Sequence, residues 1–145
     1  MQSTYLRSAL AALVCVGTLA LAAPSMAATV TMKADLKAAD EVPPNDSKGT
    51  GAVTATYDTA TKMLSWKGSY KDLTGPATAA HFHGPSEPGK NAGVAVPITP
   101  NASPFEGTAT LTEAQEADMM GGKWYVNIHT ASNPNGEIRG QLLTK

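Results

Sequence analysis

At 145 residues, 42% hydrophobic and 16% charged, the chain has room for one folded domain with one hydrophobic core and not for two. Its 11 basic and 12 acidic residues nearly cancel and no basic run occurs, which argues against nucleic acid or anionic membrane surfaces as partners. Thirteen glycines and ten prolines, with few long helix-forming stretches, favour strands joined by turns.

The first segment reads as an export signal. Arg7 gives a positive start, Ala9 to Ala23 form an uncharged apolar run, and Ser25 and Ala27 put small residues at the −3 and −1 positions of a cleavage site before Ala28. We expect residues 1–27 to be a signal peptide and 28–145 to be a mature β domain that is periplasmic or secreted. The apolar run is shorter than the roughly 20 residues a spanning helix needs, which argues against an uncleaved anchor. Cys15 follows the bulky Val14 rather than a small residue, which argues against a lipoprotein. Cleavage would remove Arg7 and Cys15. The mature chain would then have no thiol for a disulfide or metal site, a slight excess of acid and no membrane attachment.

Val30, Met32, Ala34 and Leu36 alternate with polar residues, the period of a strand with one buried face. Ala38 to Gly51 contains Pro43-Pro44 and Asn45-Asp46 and must be a long connection. Val53, Ala55 and Tyr57, then Leu64, Trp66, Gly68 and Tyr70, define a hairpin around the turn Asp58 to Lys62. After Gly75-Pro76, Ala77 to His83 reads as a strand with Phe82 on one face and both His81 and His83 on the other.

Gly84 to Gly93 is a loop, Val94 to Ile98 a short strand, and Phe105, Gly107, Ala109 and Leu111 mark another by alternation. Thr112 and Gln115 stand in capping-box positions for a short helix that runs to Met120 and stops at Gly121-Gly122. Trp124, Val126 and Ile128 alternate with Tyr125, Asn127 and His129, Thr130 to Gly136 is a turn, and Glu137 to Leu143 forms a final strand with Ile138 and Leu142 inward. About eight short strands with turn signals between them, and one short helix before the penultimate strand, predict an all-β Greek-key sandwich or small barrel.

The 3 histidines carry the candidate chemistry, since each falls on a predicted strand with its ring opposite the apolar face. His81 and His83 can present imidazoles to one ion, and His129 joins them if its strand is a neighbour. Three neutral nitrogens with a position left open suit copper, with zinc as the alternative. The other reading is surface imidazoles on an exposed sheet face, or imidazoles hydrogen-bonded to the long loops.

Glu137 and Arg139 share a face of the final strand, across the predicted hairpin from His129. Glu137 could orient an imidazole and Arg139 attract a small anion, or the two could form an ion pair on the sheet. Glu41 could reach the site or cap a turn. Met119-Met120 could be soft copper ligands or pack the helix on the sheet, and Trp66 and Trp124 read as core. No Ser-His-Asp pattern, phosphate-cradling loop or H-E-x-x-H helix occurs, which speaks against hydrolase chemistry of those kinds.

Four motifs in order, Glu41-Val42-Pro43-Pro44, Ala80-His81-Phe82-His83-Gly84, Trp124 to Thr130, and Pro134-Asn135-Gly136-Glu137-Ile138-Arg139-Gly140-Gln141-Leu142, closely resemble the CHRD domain, named for its repeats in chordin. The resemblance covers about Val30 to Leu143. It implies an extracellular β-sandwich module without a generally established enzymatic activity, which in chordin belongs to a protein that binds growth factors. A fainter resemblance is to copper-zinc superoxide dismutase, and would make His81, His83 and His129 copper ligands and Arg139 an anion guide. No histidine is left for a bridging position or a zinc site, and the disulfide of that family is impossible here. The expectations are therefore an exported CHRD-type module holding one copper or zinc ion for metal handling or redox, a metal-free module for an extracellular protein partner, or a copper oxidoreductase.

Overall fold

A computed structural model of the chain describes residues 26–145. All but the last two residues of the expected signal peptide lie outside the described residues. Among the described residues, no helix is long and apolar enough to cross a membrane.

Among the described residues, nine strands and one α-helix form: β1 Thr29–Lys37, β2 Thr50–Asp58, β3 Met63–Lys71, β4 Ala77–His83, β5 Val94–Pro97, β6 Phe105–Thr110, α1 Glu113–Met120, β7 Tyr125–Thr130, β8 Ile138–Gln141 and β9 Leu143–Thr144. All belong to one sheet in the order β5-β4-β7-β8-β1-β2-β3-β6, with β9 pairing β1, and the sheet nearly closes into a barrel. The expectation of an all-β barrel with one short helix is met.

Alternation decides which face of each strand turns inward. Met32, Ala34 and Leu36 from β1, Val53, Ala55 and Tyr57 from β2, Leu64 and Trp66 from β3, Phe82 from β4, Val126 and Ile128 from β7 and Ile138 from β8 are all buried in one core. Each large side chain fully removed from water contributes on the order of 1.5–3 kcal/mol. Phe82 spans the interior, meeting Trp66 edge to face at 5.1 Å between ring centroids and Trp124 at 6.0 Å. Both tryptophans are core residues, as expected.

The two terminal strands of the sheet, β5 and β6, leave a seam where exposed edges would invite pairing with other chains. Helix α1 lies along this seam. Thr112 accepts from the Gln115 backbone N–H and the Gln115 side chain accepts from the Thr112 N–H, a complete capping box. The Gln115 amide also donates to the Ala95 carbonyl of β5, and Lys62 pairs with Glu113 at 3.0 Å. Met119 is buried in the core cluster and packs the helix on the sheet, whereas Met120 is exposed.

One strand boundary departs from expectation. The final strand breaks in two at Leu142, whose side chain is fully buried and whose N–H donates to the Trp124 carbonyl. Leu143 and Thr144 then pair with Lys33 and Met32 of β1. Ile138 and Leu142 are both buried in the core, as their spacing predicts, and only the strand pairing changes at this point.

Two long connections cover one part of the barrel's outer surface. The segment before β2 and the loop between β4 and β5 both fold over the outer face of β4, β7 and β8, where the Asn91 amide of one donates to the Val42 carbonyl of the other. The outer faces of β2 and β3 carry no such cover and present Thr54, Thr56, Lys67 and Lys71 to solvent.

Candidate metal centre

Strands β4 and β7 are antiparallel neighbours with His81 opposite Asn127, His83 opposite Tyr125 and Ala79 opposite His129. All these residues share the outer face, so His129 is the diagonal neighbour of His81, a relation that long side chains can span. Register shifts occur between Ala77 and Ala79 against β7 and between Phe82 and His83 against β5, and irregularities of this kind re-aim side chains beside sites.

The rings converge. One ligand atom from each of His81, His83 and His129 can be chosen so that all lie within 4.8 Å of one another. His81 Nδ1 and His129 Nε2 are already 3.2 Å apart. Two nitrogens on one tetrahedral ion, each at about 2.0–2.1 Å, are separated by roughly 3.3 Å. The first pair therefore stands at bonding span, and the remaining gap closes by about an ångström or two of ring movement.

Backbone carbonyls settle which nitrogens of His83 and His129 carry the proton. His83 Nδ1 donates to the Ala92 carbonyl at 3.0 Å and His129 Nδ1 donates to the Pro134 carbonyl at 3.0 Å. A carbonyl can only accept, so each Nδ1 of a neutral ring carries the proton and each Nε2 presents a lone pair. His83 Nε2 is buried and has no hydrogen-bond partner, an expensive condition that a ligated ion would relieve. The donor set is three imidazoles without thiolate or carboxylate, which fits copper or zinc and not magnesium or calcium.

Electrostatics keeps the rings ready for a cation. Burial, followed by the neighbouring His129 and His83, pushes His81 below the ordinary imidazole range. Burial pushes His83 down as well, against the hydrogen bond to Ala92. Both are neutral at pH 7. His83 is 8% exposed, whereas His81 and His129 are half-buried, so the open side of the centre faces solvent.

The three acidic and basic residues picked out in the sequence lie beside this cluster, but none bonds to a histidine. Glu137 was expected to orient an imidazole or to pair with Arg139, and it does neither. Its carboxylate accepts from the Ser47 and Thr130 hydroxyls at 2.5 Å each and from the N–H and hydroxyl of Thr74 at 2.7 Å each. The expected anion guide, Arg139, is 2% exposed, and its guanidinium donates to the Lys90 carbonyl and the Asn91 side-chain oxygen. Both differences have one cause: the covering loops bring polar partners to strand positions that alternation alone assigns to solvent. Glu41 is buried beside Asn127 and Arg139, and its burial raises its pKa to about 7 against the pull of Arg139.

Four participants were not singled out in the sequence. Ala92 and Pro134 supply carbonyls, which no side-chain motif can reveal. Tyr125 stacks on His83 at 4.9 Å with planes 4° apart, and Asn127 is buried between the rows of His81 and Arg139. The available signal for these two was their alternation in step with His129.

The site thus sits on the loop-covered outer face of a nearly closed β-barrel. The chain belongs to the CHRD domain family, whose family model matches residues 32–142. No curated protein and no solved structure matches the chain.

Proposed function

We propose that this CHRD-domain chain is an exported protein that holds a single copper ion, with zinc the alternative, through His81, His83 and His129, for metal handling or redox outside the cytoplasm. The convergence of all 3 histidines of the chain carries this reading, with two rings held by carbonyls in the tautomer that leaves Nε2 free to ligate. The export-type amino-terminal sequence supports the compartment. When bound, the ion would supply a Lewis-acidic or one-electron centre. The chain's own residues orient the imidazoles, keep His81 and His83 neutral and shield His83 from water.

Binding is favoured over turnover by the state of Arg139. A dismutase-like site needs a cation facing the open coordination position, and this guanidinium is buried and tied to a loop. Copper titration of the purified protein beside His81→Ala tests the reading. One equivalent is expected to bind wild type at least tenfold more tightly than the variant. Equal binding by the two would leave a metal-free interaction module as the function.

A further inference from the structure

We infer that Arg139 is a positioning residue for His83, acting through the loop 84–93. The inference rests on the metal-centre reading for its purpose but on separate contacts for its geometry. Arg139 stands on β8, with β7 between it and the β4 histidines. A buried guanidinium ordinarily has a carboxylate partner, and among the described residues Arg139 forms no ion pair within 4.0 Å. Its Nη2 donates to the Lys90 carbonyl at 2.6 Å and its Nη1 to Asn91 Oδ1 at 2.9 Å. Both acceptors lie just before Ala92, whose carbonyl holds His83.

Tyr125 completes the chain of contacts. The Arg139 Cζ is 3.4 Å from the centre of the Tyr125 ring, the same ring that stacks on His83. The Tyr125 hydroxyl accepts from the Ala92 N–H at 3.1 Å. Arg139 and Tyr125 therefore hold three successive loop residues, and the third fixes the proton on His83 Nδ1 and leaves the Nε2 lone pair free for a ligand. The flat fork of arginine is required because it must reach two acceptors while lying on an aromatic face, which a lysine ammonium cannot do.

The test uses the metal-free protein first. In wild type the His83 Nδ1–H should exchange slowly with solvent, and nitrogen shifts should report one tautomer. In Arg139→Lys the exchange should quicken at least tenfold and the second tautomer should appear. Copper affinity should then fall 10–100-fold, the range for losing an outer partner of a ligand. A merely structural Arg139 would lower the melting temperature and leave the His83 tautomer untouched, and that result overturns the inference. If Arg139→Lys does not fold, Tyr125→Phe keeps the ring and removes only the hydroxyl's bonds to the Ala92 N–H and carbonyl. It should show the same change to a smaller degree, and unchanged exchange there also overturns the inference. Failure of wild type to bind copper would remove the metal reading, while the exchange measurement would still decide the role of Arg139.

Discussion

His81 Nδ1 and His129 Nε2 meet at 3.2 Å although the two residues are 48 positions apart in the chain. Because His129 Nδ1 donates to Pro134, its Nε2 accepts, and the proton between the rings belongs to His81. An ion bound by these two nitrogens would take the place of that proton, which His81 then carries on Nε2 as the other neutral tautomer.

Metal affinity should accordingly depend on pH in a definite sense. His81 and His83 are both held below the ordinary imidazole value, so they are neutral at pH 7 and protonate only on acidification. Competition titrations should give nearly constant copper affinity between about pH 7 and 8 and a steep loss below about pH 6, under the ordinary imidazole value of about 6.5. A loss that begins well above pH 7 would assign the ligands to other groups.

Glu137 makes the opposite use of burial. Burial alone would raise its pKa, but hydrogen bonds from Ser47, Thr130 and Thr74 outweigh it and hold the group at about 2, below the ordinary 4.5. A depressed carboxylate stabilises the fold above the unfolded pKa, and this contribution is lost as pH falls from about 4.5 through 2. We expect Glu137→Gln to lose roughly 3 kcal/mol at pH 7 and to show a flatter decline in acid, read by urea unfolding at several pH values. Parallel pH profiles for the two proteins would contradict this.

Glu41 should show the reverse slope. Its folded pKa of about 7 lies above the ordinary 4.5, so the folded state keeps a proton that the unfolded chain has released. Stability is then highest below about pH 4.5, declines as pH rises to about 7 and levels off beyond. Glu41→Gln should be more stable than wild type at pH 8, by an amount on the order of 2–3 kcal/mol, and should lack that decline.

Much of the barrel was legible because strand periodicity is local. The alternations of Met32 with Leu36, Val53 with Tyr57 and Val126 with Ile128 place these residues in the core from neighbouring letters alone, and Thr112 with Gln115 does the same for the helix start. The shared face of His81 and His83 is equally local. That His129 joins them depends on β4 pairing with β7 in one register, a long-range fact with no local period. The partners of Arg139 and Glu137 were hidden for a related reason, since no local period shows which distant residues reach that face. Ile138 and Leu142 fall inward as their spacing predicts, whereas the switch of Leu143 and Thr144 to pairing with β1 has no local signal.

Close backbone approach makes one glycine irreplaceable. A side-chain carbon on Gly140 would run into the backbone carbonyl of Asp35 in β1, which cannot move without breaking the β1–β8 contact. Gly140→Ala should destabilise the protein by about 1–3 kcal/mol or more, whereas Gly75→Ala, with open space around it, should stay within about 0.5 kcal/mol of wild type. Thermal unfolding of the two variants side by side checks the contrast.

Locating the ion itself tests the central claim most directly. Crystals of the copper-loaded protein, measured at the copper absorption edge, should show one anomalous peak about 2.0–2.1 Å from His83 Nε2, from His129 Nε2 and from a ring nitrogen of His81. A peak bound to fewer than two of these rings, or placed elsewhere on the molecule, would contradict a shared three-histidine centre.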